Sequence, residues 1–438
     1  MQNLENTQKK SNMQKVALTA LAGTSIEWYD FFLYGAAAAL IFPTAFFGEM
    51  PPTTALLLSL LTFAAGFIAR PIGGIIFGHF GDKVGRKKTL ISALMLMGIS
   101  STLIGLLPTY AMIGVAAPIL LTSLRFAQGL AIGGQWGGAM LLVTESAPSN
   151  QRGYYGAFAQ AGAPIGVILA NLALIITSAL VSEEFFNTWG WRIPFLASAV
   201  LILISMYIQL NLEDTDAFKA LVDNKDTQSD ENIKKSPVIE AIKKYPKRIF
   251  LAAGAFLSVQ VTFYILIAFM LAYGVTSANM ARDDMLAAVL IASAIMVPIQ
   301  FVFSSYSDRH GRKGIFMLGA VLTGIWAFAI FPLVDTGNFY LIVLAITGGL
   351  VFLAMMYGPQ AAFFTELFST EVRYSGATLG YQFGAIVGGA FAPTIAVKLW
   401  TEFDIIWVSA YIALASLLTL ISVMALTETY QSDLNNTD

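Results

Sequence analysis

The chain has 438 residues, of which 57% are hydrophobic and only 12% are charged, and its mean hydropathy is +0.70. A soluble domain averages about 25% charged residues, so this composition excludes an ordinary water-soluble protein. The net charge of −2 excludes a basic surface for nucleic acid. With no cysteine and two histidines, we expect neither a metal site nor a cofactor, and no enzymatic activity.

The first predicted membrane span covers roughly residues 16–41 and follows a polar amino-terminal segment. Because it contains Glu27 and Asp30 and has no small-residue cleavage site, we interpret it as a retained helix and not as a signal peptide. Eleven further apolar stretches follow in chain order at roughly 53–77, 89–107, 113–144, 154–180, 192–211, 248–273, 285–304, 314–331, 340–366, 372–397 and 405–427. The sequence therefore predicts an all-α membrane protein with twelve transmembrane helices.

A polar segment divides the spans into two groups of six. We predict an amino-terminal bundle over residues 1–211, a cytoplasmic linker over 212–247, and a carboxy-terminal bundle with a short cytoplasmic tail over 248–438. The loop at 81–87 recurs at 307–313, where both copies carry an acid and end in Gly-Arg-Lys. Such a repeat across the linker predicts a duplicated six-helix unit.

The Lys and Arg residues indicate the orientation, because cationic loops are retained in the cytoplasm. Most of the 25 lie in the amino-terminal segment, in the linker and in the loops after spans 2, 4, 8 and 10. The opposite loops hold Arg192, Arg282 and Lys398. Both termini are therefore expected on the cytoplasmic side of the bilayer.

Charged residues within the spans are candidates for ion coupling. Glu27 and Asp30 share one face of the first helix, and a charge at mid-bilayer costs about 2.5–3.5 kcal/mol on insertion scales, so it tends to find a partner inside the bundle. Arg125 lies within the fourth span and is a candidate partner. We predict that Glu27, Asp30 and Arg125 couple transport to protons, with Glu27 ahead of Asp30. A fixed ion pair, or an Arg125 bond to Gln128, a backbone carbonyl or a substrate carboxylate, stays open.

Polar and aromatic residues within the spans are predicted to line a substrate cavity, with lipid-facing or core positions as the alternative. They are Tyr34, Gln135, Trp136, Gln260, Tyr264, Tyr357, Gln360, Tyr381 and Gln382.

Two motifs carry a resemblance to a known family. The loop at 78–87 resembles the signature of major facilitator transporters between helices 2 and 3, and Arg125 with Gln128 and Gly129 resembles the family's second motif. The stretches at 27–35, 70–74, 190–195 and 374–376 are similar to the metabolite:proton symporter branch, which includes carriers of shikimate, citrate, oxoglutarate and betaines. The chain departs from that branch at Gln135, where an acid is usual.

Charged residues at the helix ends on the linker side are predicted to form a cytoplasmic gate. The loop residues are Asp82, Arg86, Asp308 and Arg312. Glu145 with Arg152, and Glu366 with Arg373, are predicted partners in the same network. The alternative for all of them is a solvated charge.

No phosphate-binding loop of the Gly-x-x-x-x-Gly-Lys type is present, so we expect gradient-driven transport, with protons favoured over sodium by the acidic first span. The first hypothesis is proton symport of an organic acid or betaine-type metabolite by a monomer in the bacterial inner membrane. The alternatives are proton-antiport efflux of amphiphilic aromatic compounds, antibiotics included, and a transporter-like receptor.

Overall fold

The computed structural model describes residues 2–84, 86–213, 237–369 and 372–430. Within these ranges twelve long helices follow one another. Ten of them are α1 (Gln2–Leu40), α2 (Pro52–Val84), α3 (Arg86–Leu106), α4 (Ala116–Ser146), α5 (Arg152–Leu180), α6 (Ile193–Glu213), α8 (Arg282–His310), α9 (Arg312–Val334), α10 (Phe339–Glu366) and α12 (Ile406–Ala425).

Helices α7 and α11 are each built from consecutive segments that include one π-helical turn. The segments of α7 are Pro246–Ala255, Leu257–Tyr264, the π-helical Ile265–Phe269 and Met270–Thr276. Those of α11 are Arg373–Ala385, the π-helical Ile386–Ala390 and Ala392–Glu402. Because π-helical turns occur frequently at functional sites, both helices are candidates for lining one.

Each predicted span lies within one of these helices to within a few residues. Nine helices of the described ranges are long and apolar enough to cross a membrane, and the shorter apolar stretches Ile91–Leu106 and Gly190–Ile204 lie in α3 and at the start of α6. With α1 they make the predicted twelve. Helix α1 begins at Gln2, well before residue 16, because the polar amino-terminal segment is also helical and leads directly into the apolar span. In the predicted linker, Pro237–Lys244 is a short helix, and residues 214–236 lie outside the described ranges.

The turn between α8 and α9 depends on a glycine. Gly311 has φ of +100°, a backbone conformation that residues with a Cβ rarely adopt, and it immediately precedes the first residue of α9. This glycine therefore lets α9 start directly after α8 and brings Arg312 close to the end of α8.

Close helix contacts bring α2 and α4 together in the amino-terminal half. A Cβ at Gly133 would overlap the backbone of Arg70, and a Cβ at Gly129 would overlap the backbone of Gly66. Such backbone proximity is the usual role of small residues between membrane helices. Because the two helices meet in this way, their arginines at positions 70 and 125 lie near each other inside the half.

The two halves meet mainly along four helix pairs. Helix α5 packs along α8 and α10, α2 packs against α11, and α1 packs against α7. Helices from both halves therefore surround the centre of the molecule, and the two ends of these helix pairs are where the halves can separate.

Candidate transport site and its gates

Asp30 lies in a buried polar pocket of the amino-terminal half. Its side chain is 1% exposed, and its carboxylate accepts a hydrogen bond from the hydroxyl of Ser198 on α6. Ser101 of α3 lies beside the same carboxylate. Glu27, one turn earlier on α1, is partly exposed. Of the two predicted acids, Asp30 is thus the one enclosed by neighbouring helices.

Arg125 of α4 is fully buried and is linked to this pocket through a chain of polar groups. Its Nη1 donates to Oε1 of Gln128 at 3.0 Å, and Nε2 of Gln128 donates to Oγ of Ser101 at 2.8 Å. The bond to Gln128 was one of the alternatives that the sequence left open. Since Ser101 borders Asp30, the chain places Arg125 and the carboxylate in one network.

The guanidinium group of Arg125 also lies over aromatic rings. Its central carbon is 4.0 Å from the ring centre of Phe31 and 4.3 Å from that of Tyr34. The Tyr34 hydroxyl is 2.7 Å from Oγ1 of Thr62, and the side chain is fully buried. Tyr34, predicted as a cavity residue, therefore contacts Arg125 from within the amino-terminal half.

Arg70 of α2 is a second buried arginine, and it was not among the predicted site residues. Its central carbon lies 4.3 Å from the ring centre of Phe67 and 4.4 Å from that of Phe31. The Phe31 ring thus contacts both guanidinium groups. The available signal in the sequence was the arginine itself, placed within an apolar span.

A narrow, mainly apolar cavity lies between the halves. Its lining residues come from α1, α5, α7, α10 and α11, and they are Trp28, Phe32, Ala163, Val259, Gln260, Phe263, Tyr264, Leu353, Tyr357 and Tyr381.

Four residues of the predicted cavity set line it: Gln260, Tyr264, Tyr357 and Tyr381. Gln360 and Gln382 are buried but do not belong to this lining, and the side chains of Gln135 and Trp136 lie outside those that the structure describes. The aromatic residues Trp28, Phe32 and Phe263 were missed. Trp28 and Phe32 are four residues apart on one helix face, a spacing that could have indicated them.

A network of buried charges closes the linker-side end of the cavity. Asp308 accepts hydrogen bonds from the backbone N–H groups of Gly153 and Tyr154 of the other half, both at 2.8 Å. Arg312 pairs with Asp308 at 2.6 Å and with Glu366 at 3.1 Å. The carboxy-terminal copy of the predicted gate therefore makes direct contacts between the two halves.

Two further ion pairs of this network cross between the halves. Arg152 lies 3.9 Å from Glu366, and Arg373 lies 3.5 Å from Glu145. The sequence suggested pairing within each half, Glu145 with Arg152 and Glu366 with Arg373. The structure instead places each glutamate against the arginine of the opposite half. The predicted gate residues Asp82 and Arg86 have side chains outside those that the structure describes.

The carboxy-terminal tail supports the same network. Glu428 accepts from the backbone N–H groups of Arg312 and Lys313 at 2.9 and 3.0 Å, and so caps the start of α9. Thr429 donates to Glu366 at 2.8 Å. These contacts hold the first turn of α9 and the end of α10 in place.

A second set of contacts joins the halves at the opposite end. Arg282 of α8 donates to Asn187 and to Ser178, both at 3.2 Å, and its guanidinium carbon lies 4.0 Å from the ring centre of Phe186. Ser178 donates to Asp283 at 2.6 Å. The cavity is therefore bordered by contacts between the halves towards both ends.

Gly153 provides a test of the linker-side contacts. A Cβ at Gly153 would lie 2.6 Å from Nη1 of Arg312 and 2.8 Å from Oδ1 of Asp308. Overpacking costs about 1–3 kcal/mol, so we expect Gly153→Ala to lower the maximal transport rate by about 5- to 150-fold, measured as initial uptake at saturating substrate. Gly314→Ala is the control, because a Cβ there has no neighbour within 4 Å. Equal rates for the two variants would contradict this role.

The comparisons agree with this architecture. The Major Facilitator Superfamily matches residues 20–379, so the chain belongs to this family and is a membrane transport protein. It is 40% identical over 97% of its length to the inner membrane metabolite transport protein YhjE of Escherichia coli, covering 96% of that protein. It is 37% identical to the E. coli shikimate transporter, with 94% of this chain and 93% of the relative covered.

Among solved structures, the chain is similar to the proton:xylose symporter XylE with a TM-score of 0.72 at 17% identity, and 98% of each chain is covered. This likeness concerns the fold. The predicted family and the predicted twelve-helix architecture are confirmed.

Proposed function

We propose that this protein is a proton-coupled symporter that takes up a small carboxylate-bearing metabolite. The observation that carries the proposal is the carboxylate of Asp30, which is buried beside Ser198 and joined to Arg125 through Ser101 and Gln128. A carboxylate enclosed within a membrane protein is a usual component of a proton relay. Because its surroundings are polar and uncharged groups with one arginine nearby, it can exist with or without a proton.

The Asp30 position supports a proton carrier better than Glu27 does. Asp30 is 1% exposed, whereas Glu27 is partly exposed, so of the two acids Asp30 is the one shielded from solvent in this closed state. A carrier must keep its proton while both ends of the cavity are closed. We therefore propose Asp30 as the carrier, with Arg125 as the cation whose influence on it changes as the helices move.

The contacts at the two ends of the cavity support alternating access. In this mechanism the halves rock about a central site, so that one set of contacts breaks while the other remains. The linker-side set is built on Asp308, Arg312 and Glu366, and the opposite set on Arg282 and Asp283. Each set would then be a gate that opens in turn.

The names of the relatives support uptake of a metabolite. One is described as an inner membrane metabolite transport protein and another as a shikimate transporter. They do not favour the alternative of antibiotic efflux. By the distribution of Lys and Arg we also propose that the termini and the linker at 212–247 are cytoplasmic. We further propose that the halves cover residues 1–211 and 248–438 and that the monomer is functional.

Flux in proteoliposomes tests the function. We expect accumulation of shikimate or another small organic acid when the outside is more acidic than the inside, and loss of accumulation when a protonophore collapses the gradient. Because symport moves solute and proton together, reversing the pH gradient should reverse the direction of net flux. Accumulation driven by a sodium gradient at equal pH, or solute movement opposite to the proton, would contradict proton symport.

A further inference from the structure

We propose that Arg70 is the anchor for the carboxylate of the transported solute, so that the site selects a small organic anion over its uncharged analogue. The inference rests on the proposed transport function and adds to it the residue that binds the carboxylate.

Among the described residues, no carboxylate lies within 4 Å of the Arg70 guanidinium group. The side chain is 1% exposed, and its Nε and Nη2 atoms have no hydrogen-bond partner among the described residues. Its contacts include the rings of Phe31, Phe67 and, at 5.4 Å, Trp28, and the hydroxyl of Tyr264 also lies within interaction range. Aromatic faces attract a cation but accept none of its hydrogen bonds in the plane of the guanidinium group. The donors that a carboxylate binds side by side therefore remain available.

Arg125 adds to the positive charge of this region. The guanidinium group of Arg125 lies close enough to that of Arg70 for the two to repel each other. Asp30 is the acid whose negative charge attracts Arg125. Among the ion pairs of the described residues, neither arginine is within 4 Å of a carboxylate. Two buried guanidinium groups near one acid favour the binding of an anion, because the anion reduces the repulsion between the two positive charges.

Two residues that line the cavity lie against Arg70. Trp28 and Tyr264 both line the cavity; the first contacts the guanidinium group, and the hydroxyl of the second is within interaction range of it. A carboxylate that enters between these two side chains meets the guanidinium group directly. The planar fork of arginine then binds both carboxylate oxygens.

The rest of the cavity indicates the body of the solute. Trp28, Phe32 and Phe263 offer flat apolar faces, while Gln260 carries a buried Nε2 without a partner among the described residues. The hydroxyl-bearing residues Tyr264, Tyr357 and Tyr381 lie in the same lining. A ring or short carbon chain that bears a carboxylate and one or more hydroxyl groups matches the polarity of this lining.

Ligand-dependent thermal stabilisation of the purified protein tests the anchor. The probes are shikimate and a set of small cyclic and acyclic hydroxy acids, each paired with its carboxamide. We expect acids, and not their amides, to raise the melting temperature of the native protein. In Arg70→Gln the affinity for the acid should fall by about 10- to 100-fold, as for loss of a charge-assisted pair, and the difference between acid and amide should disappear. Arg70→Lys should retain part of the preference.

Arg192→Gln is the matched control. Arg192 is also buried and contacts the ring of Trp191 at 4.2 Å, but its Nη1 and Nη2 donate to the backbone carbonyls of Thr188 and Leu107, so its role is structural. Acid binding should survive in this variant if the protein folds. The same preference for acids in Arg70→Gln as in the native protein would overturn the anchor.

The native protein decides the question if Arg70→Gln does not fold. Equal stabilisation by acids and amides, or no stabilisation by any acid of the set, would then overturn the inference. The proposed function fails in a different way: acids that bind through Arg70 but are not accumulated under a pH gradient would contradict proton symport and leave the anchor in place.

Discussion

Asp30→Asn is expected to abolish proton-driven accumulation while solute exchange across the membrane continues. The amide keeps the size of the side chain and can still accept from Ser198, but it carries no titratable proton. Net uptake needs a proton to bind and leave in each cycle, whereas exchange of labelled for unlabelled solute does not. The measurement is accumulation under an imposed pH gradient beside counterflow in the same vesicles.

The matched variant is Glu27→Gln, since the sequence placed Glu27 ahead of Asp30 as the proton carrier. If Asp30 is the carrier, Glu27→Gln should retain a measurable gradient-driven accumulation. Loss of accumulation in Glu27→Gln together with normal accumulation in Asp30→Asn would return the role to Glu27.

A purely structural role for Asp30 has a different signature. In that case Asp30→Asn would lower the stability of the protein and reduce exchange and accumulation in parallel. Its effect on stability would also depend on Arg125, and Asp30→Asn combined with Arg125→Gln would be less destabilised than the sum of the single changes. Thermal unfolding of the four proteins separates this outcome from proton coupling.

Arg312→Ala is expected to nearly abolish uptake, because it breaks the linker-side gate. Arg312 holds Asp308 at 2.6 Å and Glu366 at 3.1 Å, and its removal leaves the buried Asp308 without its cation and Glu366 with only Arg152, 3.9 Å away. Breaking a buried ion pair costs about 3–5 kcal/mol. The closed linker-side end should therefore open, and the cycle should stall for lack of a stable outward-facing state.

The absence of cysteine from the sequence makes this opening measurable. A single cysteine introduced at Ala361, which is 3% exposed and packs against Gly156 of the other half, provides the only thiol. We expect a membrane-impermeant maleimide, applied from the linker side, to label it faster in Arg312→Ala than in the parent.

Lys398→Ala is the control for removing a cation from an ion pair. Lys398 and Glu402 are 3.7 Å apart with side chains 63% and 55% exposed, so this pair contributes only about 0–1 kcal/mol. Uptake and labelling should stay at the parent level. Unchanged labelling and near-normal uptake in Arg312→Ala would show that the buried pair does not hold the gate.

In sequence, the second copy of the gate loop, with Asp308 and Arg312, is more degenerate than the first, and this alone predicts milder effects there than at Asp82 and Arg86. The contacts argue against milder effects in the second copy, because Asp308 accepts hydrogen bonds from two backbone N–H groups of the opposite half while it pairs with Arg312. A less regular repeat in sequence therefore still supplies a complete set of contacts in space. We expect effects at Arg312 as large as those at Arg86.

The sequence by itself determined the twelve helices, their grouping in two sixes, the family and the positions of the gate charges. The physical reason is that a bilayer requires long apolar stretches with their backbone hydrogen bonds satisfied internally, so hydropathy alone reveals each span. The repeated loop at 81–87 and 307–313 is equally visible because its charges lie at helix ends. Both signals depend on order along the chain.

Tertiary structure alone decided which side chains meet. The crossed pairs Arg152 with Glu366 and Arg373 with Glu145 depend on how the halves approach each other. The spacing of residues along the sequence within one half does not determine the distance to a residue of the other half. In the same way, α6 supplies Ser198 to Asp30, and the close approach of α2 and α4 brings Arg70 beside Arg125. Whether a buried charge is paired is a property of neighbouring helices, so the sequence could name the acids and arginines but not their partners.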